Sequence, residues 1–235
     1  MIKVLYEDKY LIVVEKPVNI LSETVSNTRR TMPDILKKMT GAYAVDTVHR
    51  LDKMVGGTMV YSKSRRATAG LSKMIRDHEM VKEYLAVIHG VMDEPKATLR
   101  DILFKDSKKN KSFVVKTLRK GAKEASLDYE MLATAKTEKG EFSLVKVRLH
   151  TGRTHQIRVQ FASRQHPLVG DSKYGSPLKD EEIALWSYHL QFQHPVTGKP
   201  VDEVSFPKST VFPFSCFMKT IREIEKQHRA EKETL

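Results

Sequence analysis

Short stretches in which apolar and polar residues alternate recur along the chain and predict β-strands. Residues 2–6 and 10–14 predict a hairpin that turns at Glu7-Asp8-Lys9, and residues 81–91 alternate as a longer strand. Two later pairs of apolar stretches predict further hairpins, at residues 126–133 with 142–150 and at residues 186–193 with 200–206. These hairpins predict a sheet that is largely antiparallel.

Helical periodicity appears three times, and it predicts helices at residues 32–39, 64–77 and 219–235. The stretch with Ile157, Val159 and Phe161 fits either a strand or the first turns of a helix. Residues 27–31 predict a polar, basic loop. Hairpins combined with separate helices predict an α+β protein with a mixed, largely antiparallel sheet.

The net charge of the chain limits the classes of binding partner that we expect. The 235 residues carry a formal net charge of +12, which favours a polyanion such as RNA, DNA or an anionic membrane surface. Residues 104–125 form the most basic stretch, and we interpret it as a strand between two loops. That stretch either follows the phosphates of a nucleic acid or is a solvated hairpin.

Other features of the composition exclude several classes of protein. The single cysteine, Cys216, cannot form a disulfide within the chain, and the scattered histidines do not make a zinc site. No apolar run approaches the length needed to span a bilayer, and we find no signal peptide. We therefore expect a cytoplasmic protein without a membrane partner and without a metal.

The first stretch with candidate chemistry is Val48-His49-Arg50-Leu51-Asp52. It places one acid at the end of a short loop, among an arginine, a histidine and apolar residues, and functional residues are frequent on such loops. Alone, the same pattern fits a turn or a surface ion pair.

The second stretch runs from Thr151 to Gln160 and contains Arg153, His155, Gln156 and Arg158. A core strand or helix accepts such a density of charge only when the charges have partners. We therefore expect Asp52 in the first stretch to form an ion pair with an arginine of the second.

Together these stretches resemble the RluA-type RNA pseudouridine synthases. That family carries a His-Arg-Leu-Asp motif with its catalytic aspartate, matched at residues 49–52, and a Gly-Arg-Thr-His-Gln-Ile-Arg motif, matched at residues 152–158. A Lys-x-Tyr motif lies between them and is matched by Lys82-Glu83-Tyr84. The resemblance continues through residues 166–171 and 194–198, and several motifs in one order are more specific than any single one.

The resemblance implies an architecture. We expect the pseudouridine synthase catalytic fold at residues 1–220, in two lobes with flanking helices and a central RNA cleft, with Asp52 at the floor of the cleft. A charged C-terminal helix or tail at residues 221–235 should follow. Some members carry a small RNA-binding module ahead of this domain, and we expect none here because the first strand begins at once.

The resemblance also implies roles for single residues. Asp52 is expected to be the catalytic carboxylate, Arg158 its cationic partner, and Tyr84 the aromatic wall that holds the uracil. Contacts with RNA are expected from a further set: His49, Arg50, Lys82, Arg153, His155 and Gln156. Of these, Arg153, His155 and Gln156 are scaffold or phosphate contacts rather than catalysts.

The reaction exchanges bonds within one nucleotide, so we expect no energy or redox cofactor. We expect a monomer that acts on ribosomal or transfer RNA, and the sequence does not separate these two. A uridine inside a helix must first be flipped out of the stack.

One departure from the family leaves an alternative open. The family usually has Thr-Ser-Gly where this chain has Val55-Gly56-Gly57, and two glycines add backbone freedom to the loop that carries Asp52. The alternative is a catalytically weak or inactive RNA-binding or assembly protein on the same fold. A metal-dependent nuclease is a third hypothesis, but it requires clustered acids that the sequence near Asp52 lacks.

Overall fold

The computed structural model describes residues 2–25 and 30–233, so most of the predicted basic loop, at residues 27–29, lies outside the described residues. In chain order the elements are β1 (Lys3–Glu7), β2 (Leu11–Lys16), α1 (Met32–Thr40), β3 (Asp46–Thr47), β4 (Gly56–Ser62), α2 (Arg65–Arg76), β5 (Val81–His89), β6 (Lys96–Asp106), β7 (Lys111–Val115), β8 (Ala122–Thr137), β9 (Gly140–Leu149), α3 (Gln156–Ala162), β10 (Leu185–Gln193), β11 (Pro200–Val204) and α4 (Met218–Glu233). The predicted α+β class is confirmed.

The chain divides into two compact units. The first unit comprises Met1–Glu83 and Trp186–Ser205, and the second comprises Tyr84–Leu185 and Phe206–Leu235. The predicted boundary between residues 220 and 221 stays a prediction, although helix α4 begins slightly earlier, at Met218.

The sheet of the first unit has the strand order β1-β2-β4-β10-β11, with β3 beside β4. Its pairs are antiparallel except β4 with β10, which run parallel. Both predicted hairpins of this unit, β1–β2 and β10–β11, are confirmed. Strand β4 is buried along its whole length. The loop that leads into it is therefore attached to a rigidly packed strand.

Helix α2 covers this sheet because its apolar residues recur at helical spacing. Leu71 of α2 lies in one core cluster with residues from β2, β4 and β10. Ser64 caps the helix, since its Oγ accepts a hydrogen bond from the Ala67 N–H at 3.3 Å. Helix α1 ends at Gly41, whose φ of 69° is the left-handed conformation that favours glycine.

The sheet of the second unit has the strand order β5-β9-β8-β6-β7. The predicted hairpin of β8 and β9 is confirmed, and β7 lies between two turns as expected for the basic stretch. Strand β6, at Lys96–Asp106, was not predicted from the sequence. The open assignment at residues 157–161 resolves as helix α3, and its Val159 packs against Leu103 of β6 and Ala125 of β8.

Among the described residues, no helix is both long enough and apolar enough to cross a bilayer.

Candidate active site

Asp52 lies in the first unit, on a tight loop between β3 and β4. The loop buries Leu51 and Val55 and leaves the Asp52 side chain half-exposed. A hydrogen bond of 2.9 Å from the Val55 N–H to the Asp52 carbonyl closes the turn. The carboxylate therefore reaches solvent from a loop whose apolar residues are anchored in the core.

A buried ammonium group lies under this loop. Lys16, the last residue of β2, is completely buried, and its Nζ donates to the carbonyls of Pro17 and Val55, both at 2.8 Å. Burial lowers the pKa of Lys16 to about 8, although the charge of Asp52 acts in the opposite direction. Sequence reasoning assigned Lys16 no role in the site. The signal was a lysine that closely follows the apolar run of residues 11–14.

The residues that flank Asp52 have partners inside the first unit. His49 is half-buried, and its Nε2 accepts a hydrogen bond of 3.1 Å from the Val60 N–H. Burial, with a smaller contribution from the Lys82 cation, lowers the pKa of His49 to about 3, so the ring is neutral. Burial also lowers the pKa of Lys82. The predicted contacts of His49 and Lys82 with RNA stay predictions.

Arg50 is exposed and points its guanidinium at Glu23. The Nη1 of Arg50 lies 2.7 Å from Oε1 of Glu23 in an ion pair open to solvent. Such a pair contributes little to stability, because water screens it. Arg50 thus carries its charge on the surface beside the Asp52 loop.

The glycines of the Val55-Gly56-Gly57 departure have a packing role. Gly56 and Gly57 are buried in β4, where Trp186 and Ser187 of β10 lie opposite them. A Cβ at Gly56 would lie 2.4 Å from the Trp186 ring, and one at Gly57 would lie 2.1 Å from the Ser187 carbonyl oxygen. The two glycines allow a close approach of two strands; they do not form a loose hinge.

The second motif lies in the second unit and forms the turn into helix α3. Gln156 is buried and holds this turn: its Oε1 accepts from the Thr151 hydroxyl at 2.8 Å and from the Arg153 N–H at 3.0 Å. Its Nε2 donates to the Ser126 carbonyl at 3.0 Å. His155 has a left-handed φ of 54° at the start of the helix. Gln156 therefore holds the backbone of the turn, and the predicted contacts of Arg153, His155 and Gln156 with RNA stay predictions.

Arg158 is held by a buried acid of its own unit. Its Nε and Nη2 donate to the two carboxylate oxygens of Asp171, at 2.7 and 2.8 Å. Both side chains are buried, and the Tyr174 ring centroid lies 5.2 Å from the guanidinium carbon of Arg158. A bidentate pair of this kind fixes the plane of the guanidinium. Sequence reasoning assigned Asp171 no role.

Tyr174 completes this arrangement. Its hydroxyl accepts a hydrogen bond of 2.8 Å from the Ser112 N–H and lies 3.0 Å from Nδ1 of His155. Tyr84, the predicted aromatic wall, lies on β5 in the second unit and is buried. The predicted pairing of Asp52 with Arg158 and the predicted role of Tyr84 stay predictions.

Comparison with known proteins identifies relatives over most of the chain. The family model described as RNA pseudouridylate synthase matches residues 10–163. An uncharacterized RNA pseudouridine synthase of Aquifex aeolicus is 34% identical over 227 residues, which are 88% of this chain and 70% of that protein. The ribosomal large subunit pseudouridine synthase D of Zymomonas mobilis is 30% identical over 243 residues, covering 92% and 73% of the two chains.

A solved structure shares the fold. The human RNA pseudouridylate synthase domain containing 1 superposes with a TM-score of 0.76, covering 92% of this chain and 87% of that one. At 20% sequence identity this likeness concerns the fold, and it confirms the expected fold class.

Proposed function

The chain belongs to the RNA pseudouridylate synthase family, and on this premise we propose that Asp52 is the carboxylate with which it isomerises uridines of ribosomal or transfer RNA. The family reaction breaks the N-glycosidic bond of a uridine, turns the uracil and rejoins it through carbon five. The enzyme is thus an isomerase. The observation that carries the proposal is the half-exposed Asp52 on a loop anchored by the buried Lys16 ammonium.

The proposed chemistry needs Asp52 in its ionised form. Both routes open to a carboxylate, attack on the ribose and removal of a ribose proton, start from the anion. The ammonium of Lys16 interacts with the Asp52 charge, since that charge raises the pKa of Lys16 against the effect of burial. Arg158, as the last arginine of the matched motif, is the proposed second cation. Its bidentate pair with Asp171 fixes the direction of the guanidinium.

Tyr84 is the proposed wall for the free uracil. A flat ring limits the directions in which the base can move while it turns. Its buried position on a strand suits that role, because the core prevents the ring from swinging away.

Binding of RNA is proposed to use two exposed basic surfaces. One is Arg50 beside the Asp52 loop. Arg153 of the second motif, which is half-exposed and whose Nε donates to the Glu124 carbonyl at 2.8 Å, is proposed as a separate contact. The other surface comprises β7, the turns around it and the adjoining ends of β6 and β8. Its lysines and arginines are exposed or half-exposed: Lys105, Lys108, Lys109, Lys111, Lys116, Arg119, Lys120 and Lys123. Each phosphate contact adds affinity that salt weakens and that does not depend on base sequence.

The name of the Zymomonas mobilis relative points to large-subunit ribosomal RNA as one substrate class. Transfer RNA is the second class that the resemblance allows. The proposed place of action is the cytoplasm, and the proposed form is a monomer.

The test is release of tritium from RNA labelled at carbon five of uridine. Ribosomal and transfer RNA from a strain without this protein are assayed separately. We expect the wild type to release tritium from one pool, and Asp52→Asn to bind the same RNA without release. Release by a clean Asp52→Asn preparation would remove Asp52 from its role, and no release by the wild type would contradict the substrate classes.

A further inference from the structure

One buried hydroxyl touches both backbone polar groups of the residue before Asp52. The Oγ of Ser22 donates to the Leu51 carbonyl at 2.7 Å and accepts from the Leu51 N–H at 3.1 Å. Ser22 is 3% exposed and Leu51 is 7% exposed, so water does not compete strongly for these bonds. The Leu51 carbonyl belongs to the peptide plane that leads into Asp52, and this plane is therefore fixed by Ser22.

Ser22 is itself tied to the sheet. Its carbonyl accepts hydrogen bonds from the Thr47 hydroxyl at 3.1 Å and from the Tyr61 hydroxyl at 3.0 Å. Thr47 of β3 and Tyr61 of β4 lie opposite each other in the sheet. Complete burial raises the pKa of Tyr61, so its phenol keeps the proton that it donates. Ser22 thus connects the loop to two paired strands.

The neighbours of Ser22 hold the other side of Asp52. The Asn19 N–H donates to the Lys53 carbonyl at 2.8 Å, and Asn19 has the left-handed φ of 66° that asparagine tolerates. Lys16 holds the Val55 carbonyl. Among these contacts of Asn19, Lys16 and Ser22 with the loop, the Ser22 hydroxyl is the one that fixes the peptide entering Asp52.

The departure at residues 55 and 56 gives this contact added weight. The family usually has hydroxyl side chains at these two positions, where this chain has Val55 and Gly56. Ser22 brings a hydroxyl to the same loop from a separate segment of the first unit.

We propose that Ser22 is a positioning residue for Asp52, which sets the direction of the carboxylate and thereby the rate of isomerisation, and does not set RNA affinity. The inference rests on the proposed function. Positioning errors of about 1 Å reduce rates by about a hundredfold. Loss of the Ser22 hydroxyl should therefore lower the rate at saturating enzyme and leave the dissociation constant for RNA nearly unchanged.

Ser22→Ala is the test, and Ser62→Ala is the matched control. Ser62 is equally buried, and its Oγ donates to the Ser64 carbonyl at 2.7 Å and accepts from the Ser64 N–H at 3.2 Å. It belongs to the same unit, and among the described residues its hydroxyl bonds to Ser64 and Thr68 rather than to the Asp52 loop. Both substitutions remove one buried hydroxyl, so both should destabilise the fold to a similar extent.

The readouts are the single-turnover rate constant, the RNA dissociation constant and the unfolding midpoint. We expect Ser22→Ala to lose about tenfold to a hundredfold in rate, with a dissociation constant within about twofold of the wild type. Ser62→Ala should keep its rate within about twofold, because Ser62 lies at the far end of β4 from the Asp52 loop. If Ser22→Ala does not fold, Tyr61→Phe, which removes one tie to Ser22, should show the same selective loss of rate.

Three outcomes would overturn the inference. An unchanged rate for a folded Ser22→Ala would do so, as would an equal loss of rate in Ser62→Ala or a loss explained by weaker RNA binding. A wild type without turnover on either RNA pool would overturn the proposed function as well, whereas wild-type turnover with an unaffected Ser22→Ala would overturn the positioning role alone.

Discussion

Replacement of the buried lysine under the Asp52 loop should change how the stability of the protein depends on pH. The pKa of Lys16 falls from an ordinary value of 10.5 to about 8 in the folded protein. Between these two values the unfolded chain binds more protons than the folded chain, so the free energy of unfolding rises with pH. At about 1.4 kcal/mol for each pH unit, this rise amounts to about 3 kcal/mol between pH 8 and pH 10.5.

Lys16→Met removes this titration. The variant also leaves the Pro17 and Val55 carbonyls without their donor, at about 1–3 kcal/mol each, which offsets the relief from burying a charge. We therefore expect similar stabilities near pH 7. Above pH 8 the free energy of unfolding of the wild type should rise relative to that of the variant, because Lys16 becomes neutral and no longer carries the cost of burying a charge.

Urea unfolding of both proteins from pH 7 to pH 10.5 measures the difference. Lys53→Met is the matched control, since Lys53 lies on the same loop with an exposed side chain. We expect the gap between wild type and Lys16→Met to change by about 3 kcal/mol across this window, and the gap for Lys53→Met to stay constant. Parallel curves for the wild type and Lys16→Met would refute the reasoning.

Two further predictions concern charge pairs. Asp171→Asn should lower the free energy of unfolding by about 3 kcal/mol, because it breaks a buried bidentate pair with Arg158; urea unfolding at pH 7 measures this, and an unchanged midpoint would contradict it. Glu23→Gln should tighten RNA binding by about twofold to fivefold at low salt, because it removes an anion that competes with phosphate for Arg50. Titration with labelled RNA at low and high salt checks this second prediction. No gain in RNA affinity at low salt, or an equal gain at high salt, would contradict it.

Much of the fold could be predicted because its signals are local. The hairpins and helix α2 follow from periodicity and from turn or cap residues such as Ser64, which act within a few positions of the chain. Helix α3 could not be assigned, because its seven residues are too few for the period to distinguish a helix from a strand. Its start also depends on the left-handed backbone of His155, which no propensity predicts.

The candidate site was predictable only in part, for a different reason. Asp52 and Arg158 stand in recognisable motifs, so the sequence indicates them directly. Lys16 and Ser22 act through backbone carbonyls and N–H groups of the loop, and such contacts depend on the path of the chain rather than on residue patterns. The pairing of Arg158 with Asp171 also joins two segments whose proximity appears only in the folded unit.

The outer strand of the second unit has a consequence for handling the protein. β7 ends the strand order of its sheet and pairs with β6 in the described structure, while Phe113 and Val114 are 37% and 38% exposed. Tyr174 covers part of this edge, since its hydroxyl accepts from the Ser112 N–H. An edge strand with exposed apolar side chains nevertheless invites pairing with another copy, and lysines are a common protection against it. We therefore expect the positive charges around β7 to keep the enzyme dispersed when RNA is absent. Variants that strip these lysines should aggregate, so a loss of activity in them would need a check of solubility before it is attributed to RNA contacts.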